Sequence, residues 1–332
     1  MKPVAAVVLF LSTLTPAAWA DEPAQLKFAF PSPPTSWINT TGIEPFAKQV
    51  GEASGGTVEI KIFTGGALAN ARLVYDRVVN GVADFGYNTL DADVFPRTQV
   101  SALPFESYDP VATSVALWHL IEKNVIAEEW QRVKPIAVFG IPGLGLHSVK
   151  PINRLEDMVG IKVSTGSRVI SDLIYLMGAT PITLVSAEIY PALQRGMVQS
   201  AATSSLAVVT FRLDEVTRYH LDVPFGITPV AFFMNRETYA RLPGKGRAAV
   251  DASSGESLAR HMGRMGAQQL IEVSAKLSAP PHVASTLEPA EAQRWKQKVT
   301  PLIEDWAAKT QDGAKVLAAY RAELVSLRAP TQ

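Results

Sequence analysis

Between Leu155 and Thr203 apolar residues switch repeatedly between strand spacing and helix spacing, and few architectures accommodate that rhythm. Ile161 to Val163 reads as a strand. Val169, Ile170, Leu173, Ile174 and Met177 then fall on one face of a helix that starts near Gly166 and ends at Gly178. Pro181 to Val185 reads as a second strand, Ser186 as an N-cap, and Ala187 to Arg195 as a second helix closed by Gly196. Short strands alternating with helices of this length predict an α/β fold with a mainly parallel sheet covered on both faces.

The same rhythm opens the chain. Leu26 to Phe30 and Thr57 to Phe63 alternate as strands, and Ile43, Phe46, Ala47 and Val50 have helical spacing between them. A helix over Asn70 to Asn80 follows the Gly65-Gly66 turn, and Ala83 to Tyr87 gives the next strand. Asp109 and Pro110 form an N-cap and first-turn signal for a helix carrying Val115, Leu117, Trp118, Ile121 and Val125. The strand Ile136 to Ile141 runs into Gly143 and Gly145, but a third glycine and a following helix start are missing, so a dinucleotide site is rejected. The rhythm restarts after residue 145, which predicts a second lobe ending near Pro224. Ile227 to Met234 is apolar enough for a strand buried on both faces. Gly246 to Leu277 reads as one long helix of about 45 Å, enough to span two lobes. One or two amphipathic helices with Trp295, Leu302, Ile303, Trp306, Leu317 and Tyr320 close the chain.

Lys2, the apolar run Val4 to Leu14 and the A-x-A ending at Ala20 read as a signal peptide cleaved before Asp21, so the mature protein is expected in the periplasm. No cysteine is present. Disulfides, thiolate metal sites, catalytic thiols and a lipidated cysteine are excluded. Removing Lys2 with the signal leaves 30 basic against 31 acidic residues, so no charge footprint for nucleic acid or anionic lipid exists. The 332 residues are long enough for two domains.

Asp157 onward, GIKV, GSRVISDL, LMGATPI and AEIYPALQRGMV resemble the central signature of the DctP-type periplasmic solute-binding proteins of TRAP (tripartite ATP-independent periplasmic) transporters. FAKQV, SGGTVEIKIF, GALA, VVNGVADFGYNTL, Phe95-Pro96, ALPFE and VAFFMNRETYARLP follow that family's order and spacing, so the likeness covers nearly the whole mature chain. The resemblance implies a two-lobed clamshell with a long helix across both lobes, closing on one small solute and delivering it to a membrane permease. It implies lobe I from 21–143 plus about 226–260, lobe II from 144–225 plus about 261–332, and crossovers near 140–148 and 223–232. It implies no catalysis, no cofactor, no metal and a monomer.

In relatives that bind carboxylates an arginine ends the strand read here as GIKVS; this chain has Ser164 there, Thr203 where the family has an asparagine, and Leu144 near a further basic position. A hydroxyl cannot replace a guanidinium fork. Two readings follow. Either the solute is still an organic acid, held by Arg168 and backbone N–H groups from Thr165 to Ser167 at a helix start, or it is neutral or cationic, with Asp91 or Asp93 balancing an amine. Trp37 after the first strand, Tyr87, Asn88 and Thr89 at the end of another, Leu144, Leu146 and His147 on the first crossover, and Phe225 near the second complete the candidate site. Trp37, Leu144 and Phe225 favour an aromatic or branched solute. Each also has a plain reading as core or surface. The five histidines show no H-x-x-x-H spacing, and neither a G-x-S-x-G elbow nor a P-loop occurs, which opposes an exported hydrolase. The same fold presenting its closed form to a membrane sensor is a further reading.

Overall fold

The structure is a computed structural model that describes residues 23–328; the signal-peptide reading of residues 1–20 lies outside them. The first lobe opens with β1 (Ala24–Ala29), α1 (Glu44–Ala53), β2 (Val58–Phe63), α2 (Val74–Val79), β3 (Phe85–Thr89), α3 (Pro110–Glu122) and β4 (Val133–Ile141). The chain crosses to the second lobe for β5 (Leu144–Ser148), β6 (Lys162–Thr165), α4 (Arg168–Leu176), β7 (Thr180–Thr183), α5 (Ser186–Gln194), β8 (Ser200–Ser204), α6 (Ser205–Thr210) and β9 (Tyr219–Asp222). It then returns through β10 (Thr228–Asn235), α7 (Arg236–Arg241), α8 (Gly244–Ala252), α9 (Glu256–Ser278), β11 (Val283–Thr286), α10 (Pro289–Lys309) and α11 (Gly313–Arg328).

Five strands form one sheet in the order β2-β1-β3-β10-β4, and six form the other in the order β11-β9-β5-β8-β6-β7. Each βαβ unit pairs in parallel; β10 runs antiparallel to β3 and β4, and β5 antiparallel to β8 and β9. The antiparallel pairs fall where the chain changes lobe, because a strand entering from the other lobe has no helix to turn it round. β10 is buried along its length apart from its first residue, as a mainly apolar strand with a neighbour on each side must be.

Only Pro142 and Gly143 separate β4 from β5, and residues 223–227 separate β9 from β10. Gly226 in the second crossover has φ near +95°, and a Cβ there would lie 2.6 Å from the Ala102 carbonyl oxygen. Both crossovers are therefore short, and the second turns in a conformation reserved for glycine.

Two helices replace the single long one expected over Gly246 to Leu277: α8 stops at Ala252 and α9 starts at Glu256. Gly255 breaks the run with φ near +90° and gives its N–H to the Ile136 carbonyl at 2.8 Å. α9 still bridges the lobes, packing on α3 and β4 at one end and on α6 and β11 at the other. The C-terminal pair divides likewise, α11 against α3 and α10 against α4. Asp109 caps α3 by accepting from the Val111 and Ala112 amides at 2.8 and 3.1 Å. Among the described residues no helix is long and apolar enough to cross a membrane.

Candidate functional site

A cavity of about 600 Å³ lies between the lobes. Its floor is built by the carboxyl ends of β3, β6, β7 and β8 and by the loops after β1 and β2, the usual place for a ligand in open α/β sheets. Trp37, in the turn after β1, and Tyr87, at the end of β3, are nearly buried and line it. Phe30, Phe139 and Phe232 fix the Tyr87 ring, with centroids 5.4, 6.4 and 5.9 Å away. The Tyr87 hydroxyl has no protein partner among the described residues, and burial raises its pKa further above the ordinary phenol range. It remains a protonated donor turned to the cavity.

The second lobe contributes Leu144, Ile170, Leu184, Ile189, Leu206 and Phe211 as apolar wall, with Thr203 and Thr210 among them. The N-termini of α4, at Gly166 and Ser167, and of α5, at Ser186 and Ala187, also border the cavity. Both helix dipoles thus present their positive ends to it. Opposite them the loop before α2 carries Arg72, the one Lys or Arg among the lining residues. That loop is pinned: Asn88 Nδ2 donates to the Ala71 carbonyl at 2.6 Å, and the Arg72 amide donates to Asn70 Oδ1 at 3.1 Å. The Arg72 guanidinium donates one N–H to Glu188 of α5 at 2.6 Å, and Glu188 also accepts from the Val185 amide at 3.1 Å. Both side chains are about half exposed, 52% and 44%, so the pair sits at the mouth of the cavity. Asp76 and Asp91 border it as well.

Six of the residues singled out from sequence line the cavity: Trp37, Tyr87, Asn88, Thr89, Leu144 and Thr203. Five do not, and the pleat and the helix turn explain each. Ser164 is fully buried, in register between Ile182 and Ala201, and is not among the residues that line the cavity. Arg168 is exposed at the first turn of α4; Ile170, two residues or about 200° further round, is the residue that lines the cavity. Leu146 and His147 lie deeper along β5 and are buried in the lobe. Phe225 stacks on Trp295 of α10 at 5.9 Å and is not among the residues that line the cavity. Asp93 lies off the cavity, whereas Asp91 lines it. Sequence reasoning missed Arg72, Ser186 and Phe211. For Arg72 the signal was present, a basic residue in the loop that follows a parallel strand.

Two α/β lobes, joined by short crossovers and a bridging helix and enclosing a small-molecule cavity, define a bilobed solute-binding protein. Residues 32–310 match the DctP family, described as "Bacterial extracellular solute-binding protein, family 7", and the chain belongs to that family. A marine-metagenome TRAP solute-binding protein specific for aromatic acid ligands, solved with 3-hydroxybenzoate, superposes with a TM-score of 0.88 at 23% identity, covering 92% of this chain and 99% of that one. A TRAP periplasmic solute-binding protein from Bordetella bronchiseptica, with bound (R)- and (S)-mandelate, gives a TM-score of 0.84 at 24% identity over 92% of this chain and all of the other. The outer membrane transporter protein TsaT of Comamonas testosteroni is 25% identical over 86% of this chain and 87% of its own length.

Proposed function

We propose that this protein captures a small aromatic organic acid in the periplasm and hands it unchanged to a TRAP permease. The observation that carries the reading is the pairing, in one cavity, of an aromatic floor with a positive mouth. Trp37 and Tyr87 supply flat apolar area, while Arg72 and the N-termini of α4 and α5 supply the charge complement to a carboxylate. In this reading Arg72, rather than Arg168, stands in for the arginine that Ser164 replaces. Its guanidinium uses one of its five N–H donors on Glu188 and keeps the others for a solute. The aromatic acids bound by the two solved relatives support the same class. Closure turns about the crossovers at residues 142–143 and 223–227, and a solute that contacts both lobes favours the closed state.

Asp76 and Asp91 at the cavity favour a second reading, an aromatic amine. A thermal-shift screen of residues 21–332 against benzoate-type acids, aliphatic acids, neutral aromatics and aromatic amines separates the two. A binder at about 100 times its Kd adds roughly 2.7 kcal/mol of stability. The expected response is to aromatic acids, and Arg72→Ala weakens it about 10- to 100-fold, the value of a hydrogen bond to a charged group. A response confined to amines, retained in Arg72→Ala, overturns the acid reading.

A further inference from the structure

Three of the five histidines stand in one row across the second sheet, behind the cavity wall. His147 of β5 is in register with His220 of β9, and His282 immediately precedes β11, which pairs with β9. The rings lie 5.2 and 5.1 Å apart, centroid to centroid. His147 and His220 are almost wholly buried, at 1% and 4% exposure, while His282 is partly open. His147 Nε2 contacts the Thr203 carbonyl at 3.2 Å, His147 Nδ1 meets His220 Nδ1 at 2.9 Å, and His220 Nε2 meets His282 Nδ1 at 3.1 Å. Thr203 is a cavity residue.

The direction of every bond in this row is forced. A carbonyl oxygen only accepts, so His147 carries its proton on Nε2 and offers Nδ1 as an acceptor. His220 must then donate from Nδ1 and accept at Nε2. His282 in turn donates from Nδ1. His147 and His220 are then neutral, and every ring nitrogen inside the row is satisfied. The one ring nitrogen of the row without a partner among the described residues is His282 Nε2, at its open end. A proton added there leaves each bond in place. A proton added to His147 sets N–H against N–H between β5 and β9, and one added to His220 sets N–H against N–H between β9 and His282, just ahead of β11. Burial first, and then the neighbouring ring, hold His147 down at about 3 and His220 at about 4. Asp214, just ahead of β9, is the acidic group whose field reaches His220, and Lys276 of α9 pairs with it at 2.7 Å.

We propose that His147, His220 and His282 are positioning residues whose single permitted order of tautomers holds the Thr203 stretch of the cavity wall in place. Neither the capture of an acid nor the role of Arg72 is needed for this to hold.

NMR of the ligand-free protein with ¹⁵N-labelled histidine reads the tautomers directly, and backbone amides report on the wall. At pH 7.5 the expected pattern is Nε2–H for His147 and Nδ1–H for His220 and His282. In His282→Ala, which leaves His220 Nε2 without its donor, the Thr203 amide is expected to shift although it lies two rings away from the change. His282→Asn, whose side-chain amide can donate in place of Nδ1 at this partly exposed position, is expected to return the amide towards its original position. A His147 ring that carries its proton on Nδ1, or a Thr203 amide unmoved in His282→Ala, overturns the proposal.

Discussion

Ser164 carries a hydroxyl that is fully buried and has no hydrogen-bond partner among the described residues. A buried, unpaired hydroxyl lost its hydration on folding and gained nothing in return. Ser164→Ala is therefore expected to stabilise the protein by about 1 kcal/mol, raising Tm by about 2–4 °C in calorimetry. Solute affinity should not change, because Ser164 lies off the cavity; a loss of affinity would show that the hydroxyl serves the ligand. Residues of this kind mark what a sequence conceals. The strand at GIKVS was plain from its pattern, yet whether Ser164 reaches the cavity depends on side-chain length and on the facing Ala201 and Ile182, which belong to other strands. Tyr87 and Thr203 were accessible because strand ends in parallel sheets meet at the crevice. Arg72 had only the signal of a basic residue in a loop after a parallel strand, and its place at the cavity comes from the folding of that loop against Glu188 of the other lobe.

At the scale of elements, His119 joins three helices at one point. Its Nδ1 meets Glu323 of α11 at 2.7 Å and its Nε2 meets Glu256 of α9 at 3.2 Å, and Lys123 pairs with the same Glu323. Burial alone would lower the His119 pKa, but the hydrogen bonds and charges of the two carboxylates outweigh it and raise the value above the ordinary imidazole. A folded pKa above the unfolded one means that the folded state holds its proton longer. The clamp's contribution is complete below about pH 6.5 and is lost as pH rises through the folded value. His147 and His220 act with opposite sign: their depressed pKa values make stability fall as pH drops from about 6.5 towards 4 and 3. Melting temperature should therefore peak in between, and His119→Gln should flatten the alkaline limb alone. A variant that flattens the acid limb instead would contradict this assignment. These helices were legible from spacing, since α3, α9 and α11 each bury an apolar stripe. Their lengths were less so. The Ser253-Ser254-Gly255 interruption is a stop signal that a continuous apolar repeat masks, and Gly255 shows it through a backbone angle that only the fold imposes.

For the whole molecule, the question is how two lobes joined by two short crossovers and α9 are held at a given separation. Among the described residues, Arg72 to Glu188 is the ion pair that links segment 23–141 with segment 144–222. Both partners are about half exposed, so the pair contributes roughly 0.2–1 kcal/mol and is screened by salt. That is far too little to hold the lobes shut. It is enough, at 1.4 kcal/mol per tenfold, to shift an open–closed equilibrium by up to about fivefold. Removing the carboxylate by Glu188→Gln leaves Arg72 free for a solute while weakening the bridge. The expected outcome is a larger radius of gyration by small-angle scattering in the ligand-free protein, reproduced in the unmodified protein by high salt. Saturating solute should restore the compact form, with affinity reduced no more than about fivefold, since a solute pays only the shift in the competent fraction. Arg72→Ala removes the bridge and the anchor together and is expected to cost about 10- to 100-fold. The difference between these two losses isolates the anchoring role from the bridging one. Equal losses in the two variants would reduce Arg72 to a bridge and place the carboxylate on the helix N-termini of α4 and α5 alone.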